Sequence, residues 1–469
     1  MAGNRSKYLF KNIGILTISN FASKFLVFLL VPLYTSVLST EEYGGYDFVY
    51  STIQLLFPIL TLNISDAVMR FAMDKEKNID DVVTIGFRIL LKSILPIILF
   101  FIGCLYGGWI GAIRGYEILI LLYFIFYFFY QYLIQMAKGL EKVVDMGIAG
   151  ILSTIFLLGL NLLFLLVFHM GLLGFYIANV VAQGVPVAYL LVRVRIWRFP
   201  ILNKIDKSLQ KEMLNYCLPL VVTVLWWWVN NTADKYTVTF LRGASANGLL
   251  SVSYKMPSII NVVQNVFIQA WQISAIKEYD SGDKEVFYGK YFYALSVMMS
   301  VTCSWLIILT KPISHIMYAK DFYAAWEFVP FLLIASVINS AAGFLGPILA
   351  AKKDSKAMAL SALYGASVNI FLNIALVYFI GIQGATIATV ISSFVMYSTR
   401  KRAVGTEIRL ENYKTVLATW LLLISQAILE IYTSFWWAEI LIMGLMLFLN
   451  WKGLKVILQF VKSFITRKG

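Results

Sequence analysis

Charge, cysteine and histidine are scarce in this sequence. Only 14% of its 469 residues are charged, against roughly 25% in an ordinary soluble domain. Three widely separated cysteines and two histidines provide no ligands at the spacing of a zinc site or a disulfide framework. The chain also lacks a Walker lysine loop and a His-Glu-x-x-His pair. ATP-driven pumping and metal-dependent hydrolysis are therefore not expected, and no cofactor or metal is predicted.

Apolar residues are abundant instead. They make up 60% of the chain, compared with roughly 45–50% in soluble domains. Apolar runs long enough to cross a bilayer predict about fourteen transmembrane helices. These predicted spans lie near 12–36, 45–72, 82–104, 116–137, 146–168, 172–192, 213–241, 247–273, 289–310, 324–350, 358–380, 382–399, 415–433 and 438–457.

Two basic stretches divide the predicted helices into groups. The linker 193–212 separates the first six spans from the next six, and the run Arg400-Lys401-Arg402 precedes the last two. The sequence thus predicts an all-α polytopic membrane protein. It would have an N-lobe at 1–192, a cytoplasmic linker at 193–212, a C-lobe at 213–399, and two further helices with a basic tail at 400–469.

The positions of the basic residues indicate which side of the membrane each loop faces. Most of the 39 Lys and Arg residues fall in alternate connecting segments, as is typical of cytoplasmic loops. Both termini are therefore predicted to be cytoplasmic. The net charge of +14 then reflects orientation in the membrane rather than a nucleic-acid partner. The outer loops are too short for a soluble catalytic domain and hold Arg114, Lys235, Arg242, Lys311 and Lys320.

Cationic and amide side chains inside predicted spans are candidate binding residues, because such groups are costly in a bilayer. Lys24 lies about 20 Å along the first helix from Lys11, where it either lines a cavity or snorkels to the interface. Lys255 begins a stripe on one face of the eighth helix, which either borders a hydrated cavity or makes interhelical hydrogen bonds. The stripe continues through Ser258, Asn261, Asn265, Gln269 and Gln272.

Acidic residues in or near spans are candidates for binding a coupling ion. Asp234 and Lys235 are followed by an apolar segment, so they lie inside the membrane if the helix continues and at the interface if it ends near Asn231. Asp66 and Arg70 are four residues apart, and an internal ion pair is one explanation for them. Asp47 is interpreted as interfacial.

Short motifs recur in and next to the predicted spans of both halves of the chain. They are Asn20-Phe-Ala-Ser-Lys24, Pro32-Leu-Tyr34, Glu42-Tyr-Gly44, Asp66-Ala-Val-Met-Arg70, Asp234-Lys-Tyr236, Gly248-Leu-Leu-Ser-Val-Ser-Tyr-Lys255, Gln269-Ala-Trp-Gln272 and Ile276-Lys-Glu278. Together they resemble one family of membrane proteins, the bacterial polysaccharide exporters that flip lipid-linked O-antigen and capsule repeat units. These exporters belong to the multidrug/oligosaccharidyl-lipid/polysaccharide (MOP) exporter superfamily. With the number and order of the spans, the resemblance covers essentially the whole chain.

The resemblance implies two six-helix lobes around a central cavity, two extra C-terminal helices, and transport by alternating access. It implies an undecaprenyl-diphosphate-linked glycan as substrate, membrane lipids as surroundings, and a place in the bacterial cytoplasmic membrane. It also implies cations in the cavity, matched here by Lys24, Arg70 and Lys255. From their residue types, Lys235, Asn261, Asn265, Gln269 and Trp271 are further candidates for the cavity, and Asp47, Asp66 and Asp234 are candidates for binding a coupling proton or sodium ion. Other polysaccharide-assembly proteins are candidate partners. Lys24 and Lys235 stand where some relatives carry Arg, so bidentate phosphate recognition is not expected there.

Two other function classes remain open at this point. A membrane glycosyltransferase or repeat-unit polymerase also binds lipid-linked sugars, but such enzymes usually need larger outer loops than these. A drug or small-solute antiporter of the same fold is expected to carry fewer cations in its cavity. The expectation is therefore a transporter rather than an enzyme.

Overall fold

The computed structural model describes residues 28–74, 76–107, 114–200, 205–405, 408–409, 412–433 and 435–455. Across these residues the regular structure is entirely helical. The chain divides into two compact units, Met1–Thr232 and Ala233–Gly469. The first unit contains α1 (Val31–Val37), α2 (Thr40–Leu60), α3 (Ile64–Ala72), α4 (Ile79–Gly107), α5 (Glu117–Gly139), α6 (Val143–Asn161, extended by a π-helical turn Leu162–Val167) and α7 (Gly171–Val194).

The second unit is helical in the same way. The long helix α8 (Lys207–Arg242) contains the division between the units, which therefore does not fall in the linker 193–212. It is followed by α9 (Ala244–Ser253), α10 (Lys255–Lys277), α11 (Lys284–Ile308), α12 (Thr310–Met317), a 3₁₀ segment (Lys320–Phe328), α13 (Val329–Ala351), α14 (Ser355–Ile380), α15 (Ile382–Val404), α16 (Tyr413–Tyr432) and α17 (Trp436–Leu449).

Eight helical segments of the described chain are long and apolar enough to cross a membrane, and a bent pair makes a possible ninth. The eight are Ile79–Gly103, Glu117–Gly139, Val143–Val167, Gly171–Val194, Lys284–Ile308, Lys320–Ala351, Lys356–Ile380 and Tyr413–Tyr432. The predicted spans 213–241, 247–273 and 382–399 form helices but are not among the eight, because polar residues or tryptophans lower their mean hydropathy. Most of the predicted span 12–36 lies outside the described residues.

Two predicted spans are interrupted in the structure. The span 45–72 is the bent pair α2 and α3, whose axes differ by 59°. The span 247–273 is divided at Tyr254 into α9 and α10. Lys255 is therefore the first residue of a helix, and the prediction that it lies two turns into one is wrong.

Within the first unit, α5 takes the central place in the packing. It packs against α3, α4 and α7 and buries a face of large residues that includes Tyr123, Phe124 and Tyr132. By contrast α6 packs against α7 but leaves Ile151 and Ile155 exposed. Such an apolar outer face is expected where a helix meets lipid.

Within the second unit, α13 takes the central place. In the segment Lys320–Ala351, which includes α13, 83% of an 18-residue apolar stretch is buried. The corresponding value for α14 is 28%. The two helices α14 and α15 approach closely at Gly384, where an added Cβ would lie 2.3 Å from the backbone of Leu376. Glycine is therefore required at that contact.

Candidate functional site

A cavity lined by both polar and aromatic side chains lies within the first unit. Its volume is about 270 Å³, and helices α2, α3, α5 and α8 line it. Its polar side chains are Gln54, Asn63, Ser65, Asp66, Gln131 and Gln135. Amides, a hydroxyl and one carboxylate form hydrogen bonds with neutral polyhydroxyl groups, so this lining is suited to a hydrophilic ligand.

The bend between α2 and α3 brings Asp66 to this cavity. Pro58 lies inside the last turn of α2, and Leu62 and Asn63 then take positive φ angles of 52° and 51°. Asparagine tolerates this left-handed conformation better than most residues. The Asn63 side chain then donates from Nδ2 to Oδ2 of Asp66 at 2.8 Å.

Close packing of α3 on α5 supplies the second partner of Asp66. A Cβ on Gly139 would lie 3.0 Å from Cα and O of Met69, so the absence of a side chain allows this approach. Gln135, one turn earlier on α5, then donates from Nε2 to Oδ1 of Asp66 at 2.8 Å. Each carboxylate oxygen thus accepts one amide N–H, which fixes the orientation of the group.

Aromatic side chains form the remaining wall of the cavity. Phe57 packs edge-on against Phe128 and Tyr127, with ring centroids 5.1 and 6.1 Å apart. Trp228 on α8 donates its indole N–H to the backbone oxygen of Ser51 at 3.0 Å. Aromatic side chains beside a few placed polar groups are the usual lining of ligand-binding pockets.

The structure separates the residues predicted in the first unit. Asp66 lines the cavity, whereas Arg70 is exposed in the last turn of α3. Among the described residues no ion pair joins the two, so the interpretation of Asp66 as the partner of Arg70 is wrong. Asp47 is buried on α2. Lys24 lies outside the described residues.

In the second unit, Asp234 lies inside a continuous helix. Because α8 runs to Arg242, the alternative in which the helix ends near Asn231 is wrong, and Asp234 lies about 12 Å before the helix end. Its carboxylate is only 5% exposed. It accepts a hydrogen bond from the hydroxyl of Tyr254 and another from the backbone N–H of Lys235 at 2.9 Å.

The polar stripe of α10 lies on an open face. Ser258, Asn261 and Asn265 are exposed, and Lys255 is half-buried. The side chain of Gln269 is outside what the structure describes. On the packed face of the same helix, Gln264 donates to the backbone oxygen of Asn339 at 3.4 Å. The helix is therefore polar on one side and packed into its unit on the other.

Trp271 belongs to the packed face of α10. It is 4% exposed, donates its indole N–H to the backbone oxygen of Phe344 at 2.9 Å, and stacks on that ring with centroids 4.0 Å apart. The prediction that Trp271 lines a cavity is thus contradicted. The physical reason is helical geometry. Trp271 comes two residues after Gln269, so the two side chains lie about 200° apart around the helix axis.

Sequence reasoning missed most of the polar residues of the cavity. Gln131 and Gln135 are four residues apart in an otherwise apolar run of α5, a spacing that places both on one helix face. That pattern was available in the sequence. The hydrogen bond between Asn63 and Asp66 could not be predicted in this way, because it depends on the left-handed turn after α2.

Three solved structures are similar to this chain along most of its length. One is a lipid II flippase MurJ in an inward closed conformation, with a TM-score of 0.67, 16% identity, and coverage of 96% of this chain and 100% of that one. Another is an inward-facing multidrug resistance MATE family transporter of the MOP superfamily, with a TM-score of 0.64, 14% identity, and coverage of 82% and 95%. A MATE protein in complex with MaD3S gives 0.54, 15%, and coverage of 85% and 96%. At these identities the likeness establishes the fold.

The sequence comparison establishes the family. A family model described as polysaccharide biosynthesis protein matches residues 9–272, which is more than half of the chain. No curated protein sequence matches significantly. Together with the apolar helices, the family match and the fold make this a multi-pass membrane protein. The resemblance found in the sequence motifs is thereby confirmed: the chain belongs to the polysaccharide biosynthesis protein family and has the fold of the MOP superfamily transporters.

Proposed function

We propose that this chain flips undecaprenyl-diphosphate-linked oligosaccharide repeat units from the cytoplasmic to the outer leaflet of the bacterial cytoplasmic membrane. The glycan would serve cell-surface polysaccharide such as O-antigen or capsule. The proposal includes about fourteen spans, both termini in the cytoplasm, and alternating access of an N-lobe and a C-lobe as predicted from the sequence.

The observation that carries the proposal is the amide-lined cavity around Asp66. A glycan presents many hydroxyl groups, each of which both donates and accepts hydrogen bonds. The glutamine and asparagine amides of the cavity can do the same, and Asp66, already oriented by Asn63 and Gln135, adds a strong acceptor.

The pyrophosphate of the substrate needs cationic partners. An anion is costly in a low-dielectric environment unless a positive charge lies close to it. We assign this role to Lys24, Arg70, Lys235 and Lys255, with the exposed amides of Asn261 and Asn265, and with Gln269, along the path of the glycan. Trp271 is left out because its ring is buried.

Coupling to an ion gradient would use a buried carboxylate. Of the three sequence candidates, Asp234 is favoured, since its neighbours Tyr254 and Lys235 hold it in a fixed orientation within a helix. Asp66 opens on the cavity and is better suited to the substrate. Asp47, which is buried on α2, is the second candidate for coupling. The ion would be a proton or sodium.

The proposal is tested by complementation of a strain that lacks its own flippase. Lys24→Ala and Lys255→Ala are expected to abolish surface glycan and to cause lipid-linked repeat units to accumulate in the cell, at normal protein levels. Lys290→Ala is the matched control, because Lys290 is an exposed lysine on α11. Full export by the first two variants would contradict the proposal.

The same strain separates the alternatives. If deletion of the protein lets unpolymerised repeat unit reach the outer face, the chain is a polymerase or glycosyltransferase. If deletion changes drug resistance and leaves surface glycan intact, it is an antiporter. The flippase proposal predicts neither result.

A further inference from the structure

Two buried glutamates and one lysine meet where three helices of the second unit come together. Glu430 lies near the end of α16, Glu439 in the first turn of α17, and Lys311 in the first turn of α12. The two glutamates are 5% and 2% exposed. The proposed transport function does not use any of these three groups.

Lys311 reaches only one side of this cluster. Its Nζ donates to the backbone oxygen of Glu430 at 2.8 Å and lies 3.6 Å from Oε2 of the same residue. The ammonium also lies 4.6 Å from the ring centroid of Trp326. Lys311 is thus held by a hydrogen bond and an ion pair with Glu430 and by a cation–π contact with Trp326.

The other oxygen of Glu430 has a different environment. Oε1 is buried and receives no N–H or hydroxyl donor from the described residues. The carboxyl group of Glu439 is instead the close neighbour of the Glu430 side chain, where α16 and α17 pack together. Two ionised carboxylates are both acceptors, so contact between them becomes favourable only when one of them carries a proton.

The charge balance of the cluster leads to the same requirement. Two ionised glutamates and one lysine would leave one net negative charge in a buried place, and like charges in contact disfavour joint ionisation. One added proton makes the cluster neutral. The ionisable groups that meet here within the described chain are Glu430 from α16, Glu439 from α17 and Lys311 from α12.

We infer that Glu430 and Glu439 form a proton-binding site that holds one proton between their carboxyl groups, with Lys311 as the fixed counter-charge. The predicted topology puts Lys311 at the outer side of the membrane, so this proton would exchange with the outer solution. The inference concerns proton binding itself and does not depend on the transported substrate.

Infrared spectroscopy of the full-length protein in nanodiscs tests the site directly, through the carbonyl band of protonated carboxylic acids. At neutral pH, Glu439→Gln is expected to lose the band of one carboxylic acid, because the remaining Glu430 pairs with Lys311 as a carboxylate. Glu285→Gln is the matched control, since Glu285 is an exposed glutamate at the start of α11, and it should keep the full band. A spectrum of Glu439→Gln identical to that of the wild type would overturn the inference. If that variant does not fold, Glu430→Gln takes its place with the same expected loss.

A second variant changes the band in the opposite direction. Lys311→Met removes the counter-charge, so both glutamates should become protonated and the band should gain one carboxylic acid at neutral pH. An unchanged band in Lys311→Met would also contradict the site. The control for its fold is an unaltered thermal unfolding profile at acidic pH, where the glutamates are neutral in both proteins.

Discussion

Asp66 in the first unit and Asp234 in the second unit are both carboxylates held by hydrogen bonds, yet their surroundings differ. Asp66 lies just after the bend between α2 and α3, accepts hydrogen bonds from two side-chain amides, and opens on a cavity of about 270 Å³. Asp234 lies inside a continuous helix, accepts a hydrogen bond from the hydroxyl of Tyr254, and is almost fully buried. An oriented carboxylate beside open space is suited to a ligand. A carboxylate enclosed by protein is suited to a small ion or a structural role.

The largest effect is expected from Asp66→Leu, which removes the carboxylate that lies beside the cavity. The side-chain amides of Asn63 and Gln135 lose their shared acceptor, and each unsatisfied buried group costs about 1–3 kcal/mol. Transport of lipid-linked glycan should fall by about tenfold or more, because a hydrogen bond from the glycan to a charged acceptor contributes about 1.5–3 kcal/mol and about 1.4 kcal/mol corresponds to a factor of ten. The measurement is glycan export together with thermal unfolding. Asp66→Asn keeps one acceptor oxygen and controls for folding, and wild-type export by the leucine variant would refute the role.

Gly139→Leu is expected to have the next largest effect, because it separates the helices that form the cavity. Its side chain would meet the backbone of Met69, and overpacking of this kind costs about 1–3 kcal/mol. The thermal unfolding midpoint should fall, and the contact between Gln135 and Asp66 should be lost. Gly147→Leu is the control, since a Cβ there meets no atom within 4 Å. Equal midpoints for the two variants would show that close packing at Gly139 is unimportant.

Tyr254→Phe tests the hydrogen bond that holds the buried carboxylate of Asp234. Removing the hydroxyl deprives Asp234 of one donor while the N–H of Lys235 remains, so the expected loss is about 1 kcal/mol of unfolding free energy. Thermal unfolding in detergent measures it. Tyr364→Phe, at an exposed position of the same unit, should be neutral. A Tyr254→Phe protein as stable as the control would mean that the contact does not stabilise this unit.

The smallest effect is expected outside the membrane, at the ion pair of Lys77 and Glu212, whose Nζ and Oε2 are 2.6 Å apart. The Glu212 carboxylate raises the pKa of Lys77 above its ordinary value. The pair therefore adds stability at pH values below the ordinary lysine pKa, and this contribution disappears as the pH rises through the raised value. Because the pair is exposed, Lys77→Met should leave the unfolding midpoint at neutral pH nearly unchanged. A large drop there would contradict this expectation.

The sequence predicted the family and the helical fold because both depend on patterns spread along the whole chain. Apolar runs and motifs such as Asp66-Ala-Val-Met-Arg70 can be recognised without knowledge of any three-dimensional contact. It also identified Asp66 and Asp234, since a carboxylate in an apolar run is unusual wherever it lies.

What sequence reasoning missed depends on backbone geometry and on which helix faces pack. The left-handed turn at Leu62 and Asn63 interrupts a predicted span and brings the Asn63 amide to the carboxylate of Asp66. The sequence has no glycine at these two positions that would have indicated the turn. Trp271 was predicted to line a cavity because a flat tryptophan ring can stack on a sugar. Its ring points to the opposite side of α10 and packs on Phe344.

Transport in proteoliposomes tests the central proposal most directly. A defined undecaprenyl-diphosphate oligosaccharide is placed in one leaflet, and its arrival in the other is followed with a lectin that does not cross the membrane. The wild-type protein should transfer the glycan faster than protein-free liposomes, with a further increase under a proton or sodium gradient, and Asp66→Leu should not. A wild-type rate equal to that of protein-free liposomes under every gradient would contradict the proposed flippase function.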